Sequence, residues 1–144
     1  MRIMLPAVAC CLLLLVDCVV AAESATAHDA GIACLALAPD GAHLVSGGYD
    51  RRLRCWDVAS GAQRWSVPAH AILVGACAVS ADGGRVVSGG CDGGVRIWRS
   101  ADGAELATAA GHDDLVAWVA FAGEDRVLSA GRDGTLRVWR AADG

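Results

Sequence analysis

Serine, histidine and aspartate recur together along this chain, and they are the side chains of acyl-transfer chemistry: a hydroxyl to attack, an imidazole to take its proton, a carboxylate to orient the imidazole. One set is His28, Ser46 and Asp50; a second is His70, Ser88 and Asp92; a third is His112, Ser129 and Asp133. A hydrolase needs one such site, and three equivalent ones add no chemistry. Each set also carries a tryptophan six residues beyond its aspartate, at Trp56, Trp98 or Trp139. No Gly-x-Ser-x-Gly elbow surrounds any of the serines. The sets therefore read as interior polar networks, repeated because the structure repeats, and the chain is read as non-catalytic.

The segments that must position these residues repeat as well. Ser46 to Trp56, Ser88 to Trp98 and Ser129 to Trp139 are copies of one pattern, and the upstream histidines stand 42 residues apart. A period of that length suits a unit of four short strands. Strands are expected at 32–37, 43–46, 53–58 and 63–67 in the first copy, and at 74–79, 85–88, 95–98 and 105–108 in the second. The third gives 116–121, 126–129 and 136–139, then reaches Asp143-Gly144, the turn that introduces a fourth strand in the other copies. Turn residues at regular intervals between runs rich in valine and leucine read as all-β, and no helical period competes after residue 23.

The glycines at 47–48, 89–90 and 93–94 invite a phosphate-loop reading. None forms a Walker motif or opens a helix, so they are expected in tight turns with positive φ. The aspartates follow turn positions and make no calcium loop. No cofactor or metal is implied.

With its Trp56-Asp57, its Gly111-His112 and its repeating Ser-Asp-Trp spacing, the chain resembles the WD40 family of β-propellers over residues 28–144. Two copies depart from the signature, Trp98 and Trp139 being followed by Arg99 and Arg140, and His28 and His70 following alanine. The resemblance implies an all-β partial propeller of three four-stranded blades (28–69, 70–111 and 112–144), the last without its outer strand. It implies a hydrogen-bond chain from Trp to Ser to His to Asp in each blade. It also implies a binding rim at the residues before each turn aspartate, Tyr49, Cys91 and Arg132, joined by those three places after each histidine, Gly31, Leu73 and Leu115. Proteins or peptides are the partners such a rim serves.

Composition narrows the setting. The net charge is −4, and all 12 cations are arginine, with no basic cluster to track nucleic acid or an anionic membrane. Residues 1–22 have one early arginine, an apolar stretch from Ala7 to Val16 and small residues at Val20 to Ala22, the pattern of a helical signal peptide. Cleavage after Ala22 or after Ala27 fits, and the mature chain is expected to be secreted or periplasmic, or membrane-anchored if the leader is retained. Asp17 interrupts what a spanning helix would need to keep apolar. Removing the leader takes three of the seven cysteines. Cys34, Cys55 and Cys77 fall in strands as small hydrophobes and Cys91 falls in a turn; their spacing selects no disulfide pair.

Three blades leave two open flanks, a hazard for edge pairing. The expectation is a scaffold for protein interaction that forms part of a longer propeller, or one completed by a second copy with residues 23–27 lending the missing strand. The alternatives are an accessory or sensor region of a larger exported enzyme, or a fragment without independent function.

Overall fold

The computed structural model describes residues 27–141. The leader expected at 1–22 and the closing turn at Asp143-Gly144 lie outside the described residues. Among the described residues eleven strands follow one another. The first sheet is β1 (Ile32–Leu37), β2 (His43–Gly48), β3 (Arg52–Asp57) and β4 (Gln63–Pro68), and the second is β5 (Val74–Val79), β6 (Arg85–Gly90), β7 (Gly94–Arg99) and β8 (Glu105–Ala110). The third is β9 (Val116–Phe121), β10 (Arg126–Gly131) and β11 (Leu136–Arg140). Each sheet is an antiparallel meander in chain order, so two have four strands and one has three.

The sheets stack as blades, with β1 against β5 and β5 against β9. Successive side chains point to opposite faces, so β6, covered on both sides, is buried nearly throughout, whereas β1, with one open face, alternates. The core accordingly lies at the seams. Between the first two blades it holds Val45, Leu53, Cys55, Val74, Val86 and Trp98. Between the second and third it holds Val87, Val95, Ile97, Val116, Val119 and Val127. Each such valine or leucine, fully buried, contributes about 1.5–3 kcal/mol over an exposed one. Neighbouring blades, more than local propensity, hold each sheet in place.

The double glycines stand elsewhere than the sequence suggests. Gly47-Gly48 and Gly89-Gly90 close β2 and β6 inside the sheets, and neither pair has positive φ. In those turns the left-handed residues are Arg51 (φ 68°) and Gly93 (φ 73°), matched by Gly134 (φ 79°) in the third blade. The strand glycines answer a different need, close approach. A Cβ on Gly48 would stand 2.5 Å from His28 Nδ1, and one on Gly90 or Gly131 would run into His70 or His112. Gly47 and Gly89 admit the next blade instead: their Cβ atoms would stand 2.6 Å from Val74 Cγ1 and 2.5 Å from Val116 Cγ1.

Candidate functional site

Each serine sits at the fourth place of its blade's second strand, opposite an arginine of the third strand, with the tryptophan of that strand two residues further on. In the first blade Trp56 Nε1 donates to Ser46 Oγ at 2.9 Å, Ser46 Oγ lies 2.7 Å from His28 Nε2, and His28 Nδ1 lies 2.8 Å from Asp50 Oδ1. The second blade repeats this through Trp98, Ser88, His70 and Asp92 at 2.9, 2.9 and 2.9 Å. In the third, Trp139, Ser129, His112 and Asp133 stand at 2.8, 2.8 and 2.9 Å. The structure thus brings together all four residues of every set.

One proton arrangement satisfies every set. A hydroxyl that accepts the indole N–H gives its own proton to imidazole Nε2, so Nδ1 carries the ring proton and donates it to the carboxylate. Each aspartate then also gathers backbone amides across the turn. Asp92 accepts from Ala71 N at 2.9 Å and Gly94 N at 3.1 Å, and Asp133 accepts from Asp113 N and Thr135 N. Arg54 adds its guanidinium to Asp50 at 2.9 Å. Burial pushes the three carboxyls upward, but these hydrogen bonds outweigh it and hold all three below the usual carboxylate range. Burial dominates at His70 and keeps its ring below the usual histidine range against the pull of Asp92.

The connectivity Ser–His–Asp matches a hydrolytic triad, yet the attacking atom is sealed. Ser46, Ser88 and Ser129 are fully buried, and each hydroxyl is occupied by an indole and an imidazole. The arrangement can tie the third strand, the second strand and the turn to the segment that enters the blade. Asp57, the acid of Trp56-Asp57, lies outside this interior: it accepts from Ser60 N and Oγ at 2.9 and 2.8 Å and from Arg64 at 2.6 Å.

The rim residues pair blade by blade. Tyr49 N donates to Gly31 O at 2.9 Å, Cys91 N to Leu73 O at 3.1 Å and Arg132 N to Leu115 O at 2.8 Å. Tyr49 is 60% exposed, its ring lying along Gly31, and Arg132 is exposed too. Cys91, Leu73 and Leu115 are half-buried, the two leucines closing over Gly75. Tyr49 and Arg132 are the members of the expected rim whose side chains reach into solvent, alongside exposed neighbours such as Ile72 and Asp113.

Sequence reasoning missed a second polar clip, between blades. His43 Nε2 lies 2.8 Å from Ser100 Oγ, and Trp65 Nε1 donates to Ser100 O at 2.8 Å. Both His43 and Ser100 are buried. Their counterparts in the other copies are arginines (Arg85, Arg126) and the apolar Val58 and Ala141, so the signal was a departure from the repeat. On the outer face of the first blade, Ile32, Leu35, Leu44, Trp56 and Val58 line an apolar groove of about 370 Å³. Among the described residues no three His, Cys, Asp or Glu side chains converge as metal ligands.

Meandering sheets stacked through their inner strands, each pinned by a Trp–Ser–His–Asp chain, define a sector of a β-propeller. The chain belongs to the WD40 family, whose model, described as WD domain, G-beta repeat, matches residues 22–57, 61–99 and 103–140. These units end with β3, β7 and β11, so the second and third each begin with the outer strand of the preceding sheet. The chain is 49% identical over 43 residues to the transcription factor unc-37 of Caenorhabditis elegans, a match covering 30% of this chain and 6% of that protein. Among solved structures it resembles U3-55K and the WD40 repeats of RRP9. Both superpose with a TM-score of 0.76 at 30% identity over 79% of this chain. The match takes in 37% and 36% of those chains, so this chain spans well under half of the proteins it resembles.

Proposed function

We propose that the chain is a non-catalytic scaffold for protein or peptide binding, exported by its leader, and that its open flanks are covered by further blades. One observation carries the reading. All three Ser–His–Asp sets are consumed in sealed interior networks, while the turn tips beside them present Tyr49 and Arg132 to solvent. Tyrosine and arginine are frequent anchors of protein interfaces. Family membership supports the same reading, and the charge balance, without a basic cluster, favours protein over nucleic acid. The leader's residue pattern supports a secreted or periplasmic destination.

The test is a Tyr49→Ala/Arg132→Ala variant used to capture partners from the secreted or periplasmic fraction. Capture falls while the melting temperature holds; unchanged capture removes this rim from the reading. A second reading, an accessory region of a larger protein or assembly, is favoured by the apolar flank residues Leu35, Leu37, Trp118, Leu136 and Val138, all exposed. Light scattering on the mature chain separates a self-completed ring from a sector that needs other blades.

A further inference from the structure

Cys34 on β1 and Cys77 on β5 both point into the seam between the first two blades, packed against the same apolar core. Each sulfur also reaches the opposite blade's backbone: Cys34 Sγ is 3.7 Å from Val74 O, and Cys77 Sγ is 3.9 Å from Val45 O. Cys34 is backed by Gly47, where even a Cβ would stand 2.6 Å from its sulfur. Both thiols are free, and both residues are half-buried. Ala76 and Val119 face the second and third blades' seam at the corresponding places, so the pair is peculiar to this one. A bond between them would draw the two sulfurs across the seam to roughly 2.05 Å.

We propose that Cys34 and Cys77 are a redox modification site, a clasp between the first two blades closed by a low-molecular-weight disulfide. Cys34 as thiolate attacks one sulfur of the reagent, a mixed disulfide forms and one reagent thiolate leaves. Cys77 then gives up its proton and attacks Cys34 Sγ, forming the Cys34–Cys77 bond and expelling the second reagent thiolate. Two protein thiols are oxidised, one disulfide is reduced to two thiols, and the two protons end on the leaving groups. Cys77 as its neighbour holds the Cys34 thiol low while its own is raised, which suits Cys34 to the first attack. The bond spans a whole blade of chain, the long-loop case in which a cross-link restricts the unfolded state most. It concerns the seam and stands independently of the rim.

The experiment equilibrates the full chain in glutathione buffers of increasing oxidised fraction, blocks free thiols, and digests without reduction. The expected result is a linked Cys34–Cys77 peptide from monomeric protein, lighter by two hydrogens, together with a rise in melting temperature that dithiothreitol reverses. Cys34→Ser and Cys77→Ser each abolish the linked peptide, and Cys91→Ser retains it. The wild-type measurement stands without any variant folding. Full blocking of both thiols at the oxidising limit, links running instead through Cys91, or a link that leaves the melting temperature unmoved overturns the clasp.

Discussion

Leu53 and Leu136 hold the same place in β3 and β11, yet Leu53 is fully buried and Leu136 is 69% exposed. Their local sequences, Leu-Arg-Cys-Trp and Leu-Arg-Val-Trp, are nearly the same. The difference is the neighbour. Leu53 meets the second blade through Val74 and Val86, whereas no described strand follows β11 to meet Leu136. Val138 repeats the contrast with Cys55, being 58% exposed where Cys55 is buried.

Truncating the two leucines therefore gives unequal results. Leu53→Ala leaves a cavity in a closed seam and is expected to destabilise by about 2–5 kcal/mol. Leu136→Ala is expected to stay within about 0.5 kcal/mol of the parent. Urea denaturation reads the difference, and equal losses would mean that the third blade's outer flank is covered in solution. A Leu136→Ser/Val138→Ser variant should also scatter less light, because it removes part of an exposed apolar face.

The interior chain can be cut at its middle. Ser88→Ala leaves Trp98 Nε1 without an acceptor and His70 Nε2 without a donor, both in a closed blade. Leaving a buried polar group unpaired costs about 1–3 kcal/mol. Ser46→Ala is expected to cost less, since Trp56 lines the open groove on the first blade's outer face, where water can reach its indole. Equal losses at the two serines would show that burial does not set the strength of these networks.

Much of this arrangement is legible in the residues themselves. The spacing of Ser46, Asp50 and Trp56 repeats because a sheet of fixed strand length must return these side chains to one place in every blade. The strand glycines were harder to read, because Gly48 is required by the ring of His28, 20 residues earlier in the chain, and a turn signal looks the same in sequence. His43 with Ser100, and Cys34 with Cys77, were beyond reach for a related reason. Each pair joins different blades, and repeat spacing describes one blade at a time. Where copies disagree, as at Ser100 against Val58 and Ala141, the sequence marks the seam without saying what crosses it.

Acid should weaken the fold in two stages. His70 is held below its ordinary range by burial, so the unfolded chain takes up that proton first, and stability begins to fall as pH drops below about 6.5. Asp50, Asp92 and Asp133 also lie low, burial opposing and hydrogen bonds prevailing. Their contribution is present above about pH 4 and is lost as pH falls through their folded values. Both shifts carry the same sign, so the melting temperature declines from pH 7 to pH 5 and again below pH 4. His70→Gln removes the first decline, and a melting temperature that rises between pH 7 and pH 5 would contradict the assignment of a neutral His70.

Among the described residues Arg51 is the one non-glycine with positive φ, at 68°, and its counterparts are Gly93 and Gly134. A left-handed conformation costs a residue with a Cβ roughly 1–2 kcal/mol. The turn is held from outside, because Arg51 O accepts the amides of Ala69 at 2.9 Å and His70 at 3.4 Å, where the first blade passes into the second. Glycine at this place removes the strain but has more freedom to lose on folding. Arg51→Gly is expected to stabilise by about 0.5–1 kcal/mol. Gly93→Ala is expected to do the reverse and more, since it adds strain and also drives a Cβ into the backbone carbonyl of His112 at the next seam. Thermal denaturation of both variants reads the pair, and a melting temperature for Arg51→Gly no higher than the parent's would mean that the arginine turn carries no strain in solution.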